Sequence, residues 1–219
     1  MIVAIDGPAA AGKGTLARAI AERLGFAMLD TGLIYRAVGM KVLAAGGDPA
    51  DPLAAVPQAE ALHATDLASP DLRGEAAAGA ASKVAAIPEV RATLLQFQRD
   101  FARRPPGGAP GAVLDGRDIG THVCPEAEVK LFVTASLDVR ARRRVAELRG
   151  RGEAVDPGRV LADMRARDSR DSERSAAPLR PASDAQVIDT GTMTAEEVLT
   201  WALDYITNRS RSGPAASQG

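Results

Sequence analysis

Two rhythms of apolar and polar positions run through this chain. Short apolar runs recur at residues 2–5, 26–29, 112–114, 129–133 and 185–188, each closed by a polar or glycine-rich turn. Runs of that length with that punctuation predict five buried parallel strands. Between them, apolar residues return every three or four positions, which predicts helices. Leu16, Ile20 and Leu24 form one such stripe, stopped by Gly25. A helix is expected over 33–45, closed by Gly46-Gly47, and another opens at Pro88 with Val90, Leu94, Phe97 and Phe101 on one face. A basic helix over 137–148, a helical stretch over 160–166 and a charged run to Arg174 follow. The last helix carries Val198, Ala202 and Ile206 beside Leu199 and Leu203, with Thr194 and Glu197 as a capping box.

The punctuation predicts linkers as well. Residues 47–57, with prolines at 49, 52 and 57, read as a linker. Residues 58–87 read as alanine-rich helical stretches broken at Ser69-Pro70, and 150–158 as a hinge-like loop. Strands alternating with helices give a parallel sheet with helices on both faces, whose ligands sit at the carboxyl ends of the strands. The expected fold is therefore α/β, a three-layer sandwich around a five-stranded parallel sheet.

Composition changes the picture in three places. Aromatic residues are 3% against 46% hydrophobic, so the core must be aliphatic and alanine-rich. The net charge of −1 argues against a general polyanion binder, and no nucleic-acid partner is expected. Within that neutral chain, residues 140–180 hold 12 arginines against 7 acidic residues, which suggests a small, multiply charged ligand. The single cysteine, Cys124, excludes an intrachain disulfide and a cysteine zinc site, and a reducing, cytoplasmic setting is expected. No segment approaches the ~18 apolar residues of a membrane span, so neither membrane association nor a targeting peptide is expected. No long heptad or apolar surface stripe appears, and a monomer is expected.

The most specific chemistry lies directly after the first strand, in Gly7-Pro8-Ala9-Ala10-Ala11-Gly12-Lys13-Gly14-Thr15. Strand, glycine-rich loop, lysine and helix form the context of a phosphate-cradling P-loop. Gly7 and Gly12 let the backbone approach phosphate oxygens, and the amides and helix N-terminus favour an anion. Lys13 can reach the β- and γ-phosphates, and Thr15 offers a hydroxyl toward Mg²⁺. The general pattern has Ser or Thr after the lysine. Here Gly14 stands there, and Gly-Lys-Gly-Thr is the form of nucleoside monophosphate kinases.

Three further clusters bear charge. Asp30-Thr31-Gly32 follows the second strand, with Thr31 a candidate cap and Tyr35 and Arg36 one turn on. An arginine at a helix start is a poor dipole partner and makes better sense beside an anion. Asp115-Gly116-Arg117-Asp118 joins a strand-end carboxylate, suited to Mg²⁺ waters or a ligand hydroxyl, to a guanidinium that can clamp phosphate. Arg167, Arg170 and Arg174 share one helical face with Asp171. His63, His122 and Cys124 need no functional role.

Together these motifs resemble the bacterial cytidylate (CMP) kinase family over residues 1–206. The matching stretches are 5–15, 29–36, 80–91 (Ala-Ala-Ser-Lys-Val-Ala-Ala-Ile-Pro-Glu-Val-Arg), 115–121 and 167–179. The resemblance implies a P-loop kinase with core 1–45 and 88–206, an acceptor-binding insert over about 46–87 and a helical lid over about 150–175. It implies ATP with Mg²⁺ as phosphoryl donor, held by residues 7–15, and CMP or dCMP as acceptor. The implied acceptor site is Thr31, Tyr35, Arg36, Ser82, Arg91, Asp115, Arg117 and Asp118, with Arg167, Asp171 and Arg174 from the lid side. Ser82 and Arg91 would contact the cytosine, Asp171 the sugar, and Arg117 and Arg174 the phosphates. Arg170 would face the transferred group, so Lys13, Arg117, Arg170 and Arg174 form the implied catalytic set. Residues 62–75 are shorter than the family's usual β-rich insert and show no hairpin pattern. Residues 207–219 are expected to be a disordered tail. Three other readings remain: a P-loop kinase for another small acceptor, such as shikimate or a different nucleoside monophosphate, a GTPase-like switch, and a non-catalytic homologue, against which the intact Lys13 and arginine set argue. The second would use an Asn-Lys-x-Asp element, and the only asparagine is Asn208.

Overall fold

A computed structural model describes residues 1–212. Five strands, β1 (Ile2–Asp6), β2 (Ala27–Asp30), β3 (Ala112–Asp115), β4 (Val129–Thr134) and β5 (Gln186–Asp189), form one sheet in the order β2-β3-β1-β4-β5. Every pairing is parallel, with Ile5 beside Asp115 and Leu131, and Asp30 beside Asp115. From β1 the chain steps to β2 and β3 on one side and later to β4 and β5 on the other, so the carboxyl end beside β1 is the switch point where α/β ligands bind.

Alternation along the strands decides which helices cover which face. Ala4, Leu29, Ala112 and Leu114 face one layer, built from α2 (Thr31–Ala44), α3 (Pro52–Glu60), α4 (Glu75–Val84) and α5 (Pro88–Arg103). Val3, Ile5, Val113, Val129, Leu131, Val133 and Ile188 face the other, built from α1 (Lys13–Leu24) and α8 (Ala195–Ser212). Val3, Ala4, Ile5 and Leu114 are all fully buried, as a parallel sheet covered on both sides requires. A third, smaller cluster joins α6 (Leu137–Gly150) to α7 (Pro157–Glu173) through Ala141, Val145, Leu148, Val160 and Met164. Among the described residues, no helix is long and apolar enough to cross a membrane.

Several local expectations are met. Gly25 ends α1 in the left-handed conformation, and Pro88 opens α5. The Thr194 amide donates to Glu197 Oε2 at 2.7 Å while the Glu197 amide donates to Thr194 Oγ1 at 3.2 Å.

Others need correction. The expected linker over 47–57 contains α3, because Asp51 caps it by accepting from the Leu53 amide and Pro52 stands at the first helical position. Ala55 and Ala59 bury one face of that helix in the core, which outweighs the amide lost at Pro57. Phe97 is 45% exposed, because the buried face of α5 is turned toward Arg91, Leu94 and Gln98. The stretch over 160–166 and the charged run are one helix, α7. Residues 207–212 continue α8, so the tail cannot begin at 207, and 213–219 lie outside the described residues. Between α3 and α4 the chain forms two 3-10 turns, Ala64–Ala68 and Pro70–Arg73, the second capped by Ser69.

Candidate active site at the carboxyl edge of the sheet

The loop after β1 has the backbone a phosphate cradle needs. Gly7 has φ 143°, and a Cβ there would lie 1.9 Å from the Val133 carbonyl oxygen. Gly12 caps α1 in the left-handed region at φ 95°. The loop is held from three sides. Thr190 Oγ1 donates to the Ala11 carbonyl at 3.0 Å, Lys13 Nζ to the Pro8 carbonyl at 2.9 Å, and Arg140 Nη1 to the Ala9 carbonyl at 3.3 Å.

Lys13 is buried, with its ammonium 3.9 Å from Asp115 Oδ1. Burial and the nearby Arg117 guanidinium push this lysine below its ordinary range, and burial pushes the Asp115 carboxyl up. An anion arriving here would favour the charged ammonium. The departure at Gly14 has a spatial reason: a Cβ there would come within 3.3 Å of Asp115 Oδ2. A side chain there would crowd that carboxylate. Thr15 instead lines the cleft one position on.

The cleft has a volume of about 900 Å³. Its walls include Ala9, Ala10, Gly12 and Lys13 on one side and Arg36, Arg117, Arg167 and Arg170 on the other. A smaller pocket of about 40 Å³ adjoins it, and Gly32, Arg117 and Arg167 line both. Thr31, Tyr35, Ser82, Arg91, Asp118, Asp171 and Arg174 complete the smaller pocket. Residues from five separate segments therefore meet in one place.

Their contacts differ from the simplest reading of the sequence. Thr31 does not cap α2. It is the first helical residue, and its hydroxyl donates to the Asp115 carbonyl at 2.8 Å, tying α2 to β3. Arg36 Nη1 donates to the Leu72 carbonyl at 2.7 Å, so it braces the second 3-10 turn while facing the cleft. Arg91 donates to the Asp118 carboxylate and, at 3.2 Å, to the Ala85 carbonyl, with its guanidinium 5.5 Å above the Tyr35 ring. Arg117 Nε donates to Asp171 Oδ2 at 3.2 Å. Arg170 Nε donates to Ser82 Oγ at 3.1 Å.

Arg174 does not share a helical face with Arg167 and Arg170. The helix ends before it, its backbone is extended (φ −58°, ψ 140°), and its guanidinium reaches Asp118 Oδ1 at 3.5 Å. Its Nε donates to the Ala177 carbonyl at 2.7 Å, which holds the turn.

The cluster carries more positive charge than its carboxylates match. Asp171 faces both Arg117 and Arg167, the latter at 3.9 Å. Burial and Arg117 together lower Arg167 to about 10. The buried Nε atoms of Arg91 and Arg167 have no hydrogen-bond partner. Buried guanidinium N–H groups left unpaired cost free energy and point to an anionic or hydrogen-bonding ligand.

Sequence reasoning passed over three residues that shape this site. Asp6 is a buried carboxylate at the end of an apolar strand, and that charge in an apolar run was its signal. Arg140 joins the Ala9 carbonyl to Asp168 of α7, whose Oδ2 it reaches at 2.6 Å. Arg143 holds the Thr190 carbonyl at 2.6 Å. No local pattern marks these partners. The remaining candidates without roles stay outside: the His122 carbonyl accepts from Arg99, the His63 amide donates to Asp66, and burial pushes the Cys124 thiol up to about 11.

Comparison with known proteins agrees with this geometry. The chain is 61% identical over 211 residues to the cytidylate kinase of Rhodospirillum rubrum, covering 96% of this chain and 99% of that protein. It is 63% identical over 205 residues to the cytidylate kinase of Paramagnetospirillum magneticum, covering 94% and 97%. Among solved structures, an uncharacterised protein from Eubacterium ventriosum shares the fold with a TM-score of 0.56 at 15% identity, over 94% of this chain and 98% of that one. The family model for cytidylate kinase matches residues 3–208, and with relatives this similar over nearly their whole length, the chain belongs to the cytidylate kinase family of phosphotransferases.

Proposed function

We propose that this protein transfers the γ-phosphoryl group of ATP to the phosphate of CMP or dCMP, forming ADP and CDP or dCDP, in cytoplasmic pyrimidine nucleotide metabolism. The observation that carries the reading is the pairing of two cavities through Arg117 and Arg167. One is cradled by a P-loop and the other is lined by hydroxyls, carboxylates and guanidiniums suited to a nucleoside monophosphate. Donor and acceptor phosphates would meet between those two arginines. The protein acts as a monomer on these small molecules, with neither nucleic acid nor membrane as partner.

The chemistry needs alignment and charge neutralisation more than proton removal. A nucleoside monophosphate already carries close to two negative charges near neutral pH, so its attacking oxygen is ionised. No histidine lines either cavity among the described residues. A new bond forms from that oxygen to the γ-phosphorus while the bond to the bridging oxygen breaks, leaving ADP. Charge on the transferring group is met by Lys13, Arg117, Arg170 and Arg174. Holding both nucleotides in line converts a bimolecular reaction into an intramolecular one.

On the acceptor side, Ser82, Arg91 and Asp118 present donors and acceptors to the base, and Asp171 to the sugar. The Thr15 hydroxyl, with the Asp115 carboxylate orienting its waters, would hold a Mg²⁺ ion. When bound, that ion supplies further neutralisation of phosphate charge. Residues 150–175 form the lid: α7 brings Arg167, Arg170 and Asp171 to the site and leans on α6 through a small apolar cluster of its own.

Acceptor-dependent ADP release from Mg-ATP, measured across CMP, dCMP, UMP, AMP, GMP and shikimate, tests the reading. Release with CMP and dCMP alone is expected. Release with another acceptor, or slow hydrolysis independent of acceptor, would overturn it.

A further inference from the structure

The π-helical turn Ile119–Val123 begins directly after Arg117 and Asp118. Its first amides are the orphan donors of any helical start. Asp118 stands at the capping position, where an aspartate ordinarily turns its side chain back onto those amides. It makes no such bond here. Its carboxylate faces the smaller pocket instead, where Arg91 and Arg174 reach it.

The amides are satisfied from elsewhere. Asp6, at the end of β1, accepts from the Ile119 amide through Oδ1 at 2.7 Å and from the Gly120 amide through Oδ2 at 2.8 Å. Asp6 is 5% exposed and lines neither cavity. Burial pushes its carboxyl up to about 7, against the lowering pull of the two amides and of Lys13. A buried charge at that cost calls for a task.

We propose that Asp6 is a positioning residue that caps the 119–123 turn in place of Asp118, and so frees the Asp118 carboxylate to face the acceptor. Without Asp6, the Asp118 side chain stands at the capping position, from which it can take up the orphan amides. Turning back to them, it would leave Arg91 and Arg174 without their shared partner and empty the pocket of its acceptor-facing carboxylate. The assignment goes beyond the proposed reaction but rests on CMP being the acceptor.

The test is Asp6→Asn, an isosteric change that sets an amide NH₂ against one backbone N–H. Isothermal calorimetry should show CMP binding weakened by ~10- to 100-fold, the loss expected for a charge-assisted hydrogen bond. ADP binding should stay within about twofold, since the P-loop contacts do not use the Asp6 side chain. In an Asp118→Asn background, Asp6→Asn should add no more than about twofold to the loss of CMP affinity. Asp6→Ser, which removes the carboxylate and keeps one hydroxyl acceptor, should also weaken CMP more than ADP and serves if the first variant folds poorly.

Amide exchange at Ile119 and Gly120 should accelerate in Asp6→Asn with no nucleotide present. Unchanged CMP affinity, equal losses for ADP and CMP, full additivity with Asp118→Asn, or unchanged exchange would each overturn the proposal. Wild-type protein that binds ADP but not CMP would instead overturn the proposed reaction, and the amide exchange would still decide the cap.

Discussion

Arg170 on α7 donates to the Ser82 hydroxyl on α4 over 3.1 Å. Arg170 lines the large cleft and Ser82 the small pocket, so this one bond spans the two. The Ser82 hydroxyl accepts from Arg170 and keeps its own proton to donate to the proposed acceptor base, so one side chain would couple the two sites.

Ser82→Ala should therefore raise the KM for CMP by ~10-fold, about the worth of one hydrogen bond to a polar base. The KM for ATP should move less than about twofold. Steady-state kinetics with each substrate varied in turn checks this, and equal shifts would remove Ser82 from the acceptor site.

Lys13→Ala should lower kcat by at least ~10²-fold, because it removes a preorganised charge where negative charge gathers in the transition state. CMP affinity should change little, since Lys13 lines only the large cleft. Near wild-type kcat would sink the P-loop assignment.

Gly7→Ala should destabilise the protein and abolish donor binding. Its methyl would lie 1.9 Å from the Val133 carbonyl, a contact with backbone that no side-chain rotation relieves. The expected melting temperature falls by several degrees, and an unchanged value would show that β1 and β4 can separate freely.

The pH dependence of stability should change when Asp6 is lost. Its folded-state pKa is about 7 against an ordinary 3.8, so the folded protein holds this proton while the unfolded chain has released it. Stability from this group is greatest at low pH and declines from about pH 4 to about pH 7, then levels. Asp118 and Lys13 flank the carboxyl and shape the window. Melting temperatures of wild type minus Asp6→Asn should fall across that range. A difference independent of pH would refute the raised pKa.

The stretch before α4 is pinned to α6. Arg144 contacts Glu75 and, at 2.7 Å, Glu147, while Arg151 contacts Glu147 and donates to the Arg73 carbonyl at 2.7 Å. Glu75 and Glu147 are each 45% exposed, so Glu75→Gln should cost under ~1 kcal/mol of stability. Hydrogen exchange over residues 70–76 should nevertheless quicken in that variant. No change there would mean the Leu72–Arg36 contact alone holds the segment.

Much of the fold was legible because its signals are local. Every strand was marked by a short apolar run with turn residues after it, and the capping pair at Thr194 and Glu197 sits within one turn. The helix α3 was hidden because its three nearby prolines read as linker, while the burial of Ala55 and Ala59 that stabilises it depends on a core assembled from distant segments. Phe97 was misplaced for a related reason: the face of α5 that turns inward carries Val90, Arg91, Leu94 and Gln98, with Arg91 reaching the smaller pocket.

The same division runs through the site. The amino-acid sequence by itself determined the parallel α/β order, the glycine-rich loop at 7–15 and the identity of the charged clusters, because each lies within one contiguous stretch. Tertiary structure alone decided the pairings: Asp171 with Arg117, Ser82 with Arg170, Arg36 with the Leu72 carbonyl, and Asp6 with the turn after Asp118. A charged side chain takes its partner from whatever the packed layers bring within about 3 Å, and sequence neighbours carry no record of that distance.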